Sequence, residues 1–181
     1  MSRIKILDRS EMTEEQARVY DSAVASGSPL GGPYYAYIRL PSLFEGAQGL
    51  REAFAGTPLS RREQQVVNLV VARHFSARYP WFAQVRASLQ AGIPEAAIKA
   101  INAGETPDLP DAAEAMCYAA AREMMDRRTL SDETYAQAVK VLGQDRLIAM
   151  TAATGSFAMT CLTANVFDIP APADDPMPLA S

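Results

Sequence analysis

Helix starts are written repeatedly into this chain. Thr13-Glu-Glu-Gln16 and Ser60-Arg-Arg-Glu63 both have capping-box spacing. In that arrangement a hydroxyl and a side chain three residues on satisfy each other's free backbone N–H groups. Asp111 and Glu114 repeat the signature, and Ser131 is a further cap. Stops follow at matching intervals, at Gly27 through Pro33, Gly56-Thr-Pro58, Gly92 and Gly104. The spacing predicts helices over 13–26, 41–54, from 60 onward, 81–91, 94–104, 111–128, 131–141 and 145–167. Pro80 is expected to separate the helix opened by Ser60 from the one beginning at Trp81, and Pro94 to sit in a first turn.

Val66, Val67, Val70 and Val71 favour a strand by intrinsic preference. The Ser60 cap and the flanking Gln64, Gln65 and Asn68 favour a helix instead. No strand-rich region, glycine-rich phosphate loop or fixed-period repeat is present. The expected fold is therefore all-α, a single-domain bundle of about seven or eight helices. Residues 1–11 read as a lead-in, 12–168 as the helical domain and 169–181 as a proline-rich, extended and mobile tail.

With 49% hydrophobic residues the chain can build a substantial core. A net charge of −4 argues against a nucleic-acid surface, which needs a basic face. The first residues hold no long apolar run, and no stretch approaches the roughly 20 apolar residues of a membrane span. A cytoplasmic protein without membrane or nucleic-acid partners is expected. Cys117 and Cys161 lack CxxC spacing and have apolar neighbours, so they read as small buried hydrophobes. Two cysteines and one histidine do not make an ordinary zinc site, so no metal is expected.

Several pieces then occur in an informative order: Leu59-Ser60, Val71-Ala-Arg-His74, Tyr79-Pro-Trp81, Ala91-Gly-Ile-Pro94, Ile98-Lys-Ala-Ile101, Ser131-Asp-Glu-Thr-Tyr135 and Thr163 through Pro170. From about Met12 to Pro172 the sequence resembles the carboxymuconolactone decarboxylase and alkylhydroperoxidase D superfamily. The resemblance implies an all-α fold, no cofactor, and assembly into a homotrimer or homohexamer. A small, alanine- and methionine-rich helical subunit could also bury apolar surface between copies.

The peroxidase branch of that superfamily carries Cys-x-x-Cys-x-x-x-His with a glutamate one helix earlier. Aligned on the Ala91-Gly92 turn, Ala77 and Pro80 occupy the cysteine positions, Gln84 the histidine and Gln65 the glutamate. Neither alanine nor proline can attack a peroxide, so thiol peroxidase chemistry is disfavoured. Decarboxylase-like relatives commonly read Tyr/Phe-Glu-Trp-x-x-His here, whereas this chain reads Tyr79-Pro80-Trp81-Phe82-Ala83-Gln84.

The resemblance thus implies lyase-type chemistry on a small acidic or lactone-like metabolite in a modified pocket. His74 or Tyr79 would supply the proton, and Arg73 or Arg78 would hold a substrate anion. Gln65, Gln84 and Trp81, with Tyr34 and Tyr35 from the aromatic cluster after Pro33, are the remaining binding candidates. A binding protein that lost the family's proton relay is the alternative. On an α-helix Gln65 and His74 fall on different parts of the surface, so only tertiary structure could unite them.

Overall fold

The computed structural model describes residues 2–180; Met1 and Ser181, at the outer ends of the expected lead-in and tail, lie outside the described residues. Among the described residues there are nine α-helices, two single-turn 3-10 helices and no strand. In order the helices are α1 (Glu14–Ser26), α2 (Tyr34–Tyr37), α3 (Pro41–Ala53), α4 (Arg61–His74) and α5 (Arg78–Gln90). They continue with α6 (Glu95–Ala103), α7 (Ala112–Arg127), α8 (Asp132–Leu142) and α9 (Gln144–Val166).

The caps act where the sequence places them. Thr13 and Ser60 form complete capping boxes with Gln16 and Glu63. Asp111 accepts from the N–H groups of Ala113 and Glu114, and Ser131 from that of Thr134. Three boundaries differ from expectation. The short α2 follows Pro33 because Tyr34 packs edge-on against Tyr37 and Phe44, a tertiary contact with no local signature. Helix α5 starts at Arg78, before Pro80, since a proline in the first turn gives up no helical hydrogen bond. Pro94 is the cap residue of α6 and lies outside its first turn.

Helix α4 is the axis of the molecule, packed by α5, α6, α7 and α9. Val66, Val67, Leu69, Val70 and Val71 are buried within it on all sides, which overrides the strand preference of valine. Its N-terminal end is clasped by two ion pairs. Arg146 of α9 donates to Glu63 at 2.9 Å, and Arg62 donates to Glu114 of α7 at 3.0 Å.

The tail differs from the mobile segment expected. Trp81 donates its indole N–H to the Met177 carbonyl at 2.8 Å. The Asn102 amide donates to the Pro178 carbonyl at 2.9 Å and accepts from the Ala180 N–H at 2.8 Å. These groups satisfy the tail backbone, and Met177 is buried as an apolar anchor.

A second difference concerns α9. Its 23 residues, with mean hydropathy 1.5 over their most apolar window, are long and apolar enough to cross a membrane by length and composition. That corrects the reading that no stretch approaches such a length. A core helix passes the same test, and the inner face of α9 packs on α4, α5, α7 and α8.

One electrostatic contact gives a pH prediction. Hydrogen bonding from the Thr134 hydroxyl, then from the Ser131 N–H, pulls the Glu123 carboxyl down to about 2. The ionised form is therefore favoured in the folded state. Its contribution is present above the unfolded value of about 4.3 and fades as pH falls toward the folded value. The difference in melting temperature between the native protein and Glu123→Gln is expected to shrink steadily from pH 6 to pH 2. A difference that stays constant over this range would contradict the assignment.

Candidate binding cleft

Because α4 and α5 are antiparallel neighbours, polar residues one turn apart on each can meet. On α4 these are Gln65 and Asn68; on α5 they are Gln84 and Ser88. Asn68 Nδ2 donates to Gln84 Oε1 at 3.2 Å, and the Ser88 hydroxyl makes a longer contact of 3.5 Å to Gln65 Oε1. Gln65, Asn68 and Gln84 line a cleft of about 1060 Å³, whose walls come from the loop before α2, from α3 and from α9. Tyr34, Tyr37, Tyr79 and Phe157 give it aromatic surface, and Ser156 and Thr160 add hydroxyls. Arg51, Glu52 and Arg61 also line it and supply its formal charges.

Burial raises the phenol pKa values of Tyr34, Tyr37 and Tyr79, so each is a neutral donor or acceptor at physiological pH. Tyr37 spends its hydroxyl on Thr163, 3.1 Å away. The Tyr79 side chain lies directly against the Gly31-Gly32 backbone, where a β-carbon at either glycine would collide with its hydroxyl or ring. Gly32 also has φ +65°, which an L side chain rarely adopts. The two glycines thus let the loop close over Tyr79, and the Tyr35 hydroxyl comes to the same place.

Of the residues singled out from sequence, the structure brings Gln65, Gln84, Tyr79 and Tyr34 to this cleft. It does not bring Tyr35, Arg73, His74, Arg78 or Trp81 into its lining. Nine residues after Gln65, His74 lies half a turn around α4 and lines a separate groove with Met125, Leu130 and Tyr135. Its Nδ1 is 3.7 Å from Asp126 of α7. Arg73 donates to the Asn102 carbonyl at 2.7 Å, bracing α6. Arg78 is exposed at the start of α5, and Trp81 is wholly buried in the core.

Asn68, Arg51 and Arg61 were missed as site residues. Arg61, Gln65 and Asn68 follow one helical stripe, and the amides Gln64 and Gln65 before the valine run and Asn68 within it were the available signal. Arg51 comes from α3 and had no such signal.

Cys117 and Cys161 are fully buried and line neither the cleft nor the groove. Burial pushes both thiols up, Cys117 to about 12, so neither is a thiolate at neutral pH. Among the described residues no three His, Cys, Asp or Glu side chains gather as a metal site.

No family model matches the sequence, and no curated protein matches it. Its structure is similar to the crystal structure of an uncharacterized peroxidase-related protein from Ralstonia eutropha JMP134, described as an alkylhydroperoxidase AhpD core. The TM-score is 0.75 over 96% of this chain and 93% of that one, at 11% sequence identity. With its all-helical order and this match over nearly the whole length, the chain has the alkylhydroperoxidase D-like fold.

Proposed function

We propose that the cleft between α4 and α5 binds a small acidic or lactone-like organic molecule, and that the chain is a ligand-binding protein on this fold. The observation that carries the reading is the neutral polar floor. Gln65, Asn68 and Gln84 offer amide donors and acceptors suited to a carbonyl or hydroxyl; among the described residues no imidazole or thiol lines the cleft, and its one carboxylate, Glu52, comes from α3 and not from this floor. Arg51 and Arg61 can meet an anionic group on the same molecule. The reading requires no cofactor.

The test is thermal stabilisation across a panel of small carboxylic acids, lactones and aromatic metabolites. A ligand at about 100 times its dissociation constant adds roughly 2.7 kcal/mol if it binds only the folded state. The shift is expected to be lost in Gln84→Leu and weakened for acids in Arg61→Gln. An unshifted panel, or an equal shift in Gln84→Leu, would overturn the proposal.

A lyase-type second reading draws on Tyr79, the one sequence-nominated proton donor within the cleft. Decarboxylation leaves an enolate that needs hydrogen bonds and one proton, and a neutral phenol can give both. Tyr79→Phe is then expected to abolish carbon dioxide release while retaining ligand binding. Unchanged turnover in that variant would remove Tyr79 from the chemistry.

A further inference from the structure

Helix α9 carries an outward stripe that the cleft does not use. Ile148, Ala152, Gly155, Met159, Leu162 and Val166 recur at alternating spacings of four and three. All six are exposed, with Ile148 at 61%, Leu162 at 49% and Val166 at 55%. A 3.5-residue repeat keeps one face against another helix along its length, which scattered surface apolar residues do not do. The stripe runs roughly 27 Å at 1.5 Å per residue. Its middle is small, at Ala152 and Gly155, where a second helix can approach closely.

Charge specifies what covers it. Asp145 continues the repeat at the N-terminal end of the stripe and is exposed without an ion-pair partner among the described residues. At the other end Arg3 is exposed, donates to the Val166 carbonyl at 3.2 Å, and likewise has no carboxylate partner among the described residues. Two copies of α9 packed antiparallel would set Asp145 of each beside Arg3 of the other. The opposed helix dipoles would favour the same arrangement. A parallel pair would place like charges together.

We propose that α9 is an interface with a second copy of this chain, packed antiparallel about a two-fold axis between Gly155 and Met159. Position 152 then faces 162 of the other copy, and 148 faces 166. Met159 borders the ligand cleft, while Ile148, Ala152 and Gly155 border the His74 groove. The second copy therefore forms part of the wall of both. A two-fold contact makes a dimer, or joins two trimers into a hexamer, but does not occur in a lone trimer.

The test uses the full chain. Sedimentation of the native protein at micromolar concentration is expected to give a dimer or hexamer. Ile148→Glu with Leu162→Glu is expected to halve the mass of a dimer, or reduce a hexamer to a trimer, at unchanged helix content. Oxidised Ala152→Cys/Leu162→Cys is expected to run as a covalent dimer, and the native cysteines are too buried to compete. Ala152→Cys alone is not expected to cross-link, because its two copies would lie roughly 15 Å apart along the axis, beyond disulfide reach.

A native monomer or lone trimer would overturn the proposal, as would cross-linking by Ala152→Cys alone. So would a monomer that floats with phosphatidylcholine vesicles, which would assign the stripe to lipid. None of these outcomes depends on ligand binding in the cleft.

Discussion

Trp81→Ala is expected to lower folding stability by about 3–5 kcal/mol, the range for removing a buried aromatic side chain. The indole is 0% exposed and packs α5 against the core around α4. Its loss opens a cavity and also strips the buried Met177 carbonyl of its donor, a separate cost of about 1–3 kcal/mol if that group stays dry. Against a typical total of 5–15 kcal/mol this would leave little margin. Trp81→Phe keeps most of the volume and loses the hydrogen bond, so it should cost much less.

Urea unfolding followed by circular dichroism measures both variants; fluorescence does not serve, because Trp81 is the sole tryptophan. Protease access to the tail is expected to rise in both. A loss below about 1 kcal/mol for Trp81→Ala would contradict the core position assigned to it.

The second large effect concerns the cleft floor. Gln65→Glu keeps the shape of a side chain only 9% exposed and adds a carboxylate. Of the two cations one turn away on α4, Arg61 is exposed to solvent and Arg62 is already paired with Glu114. Burial is expected to raise the new carboxyl by about 1–3 pH units, at roughly 1.4 kcal/mol per unit. The sign is opposite to that for Glu123. Stability should be intact below the unfolded value of about 4.3, fall as pH rises to the folded value, and stay low above it. Melting curves of this variant and the native protein from pH 4 to pH 8 should therefore diverge. Parallel curves would mean that water solvates the cleft floor as freely as it does the surface.

These two positions also mark what sequence could disclose. Helix starts at Thr13, Ser60, Asp111 and Ser131 were legible because a cap is local chemistry within four residues. The start of α5 was misplaced because a proline reads equally as a boundary or as a first turn, and the surrounding fold decides between them. Helix α2 was invisible because Tyr34, Tyr37 and Phe44 stabilise it across a chain reversal.

For the site, residue chemistry alone pointed to His74, the sole histidine, while helical phase sends it to another face. That Gln65 and Gln84 share one cleft was suggested only by the family resemblance. Asn68 was seen as a helix marker, and its bond to Gln84 needed the packing of α4 on α5. The docking of the tail was unreadable because Trp81 and Met177 are 96 positions apart.

The central position of α4 also sets an order of events during synthesis. Its covering helices α7 and α9 follow it in the chain, and α9 is among the late elements. At 5–20 residues per second, several seconds pass between translation of the valine-rich rod and arrival of the helices that enclose it. During that interval Val66, Val67, Val70 and Val71 form an apolar segment of high strand preference without its final neighbours. The nascent chain is therefore most open to self-association in the interval between synthesis of α4 and the arrival of α9.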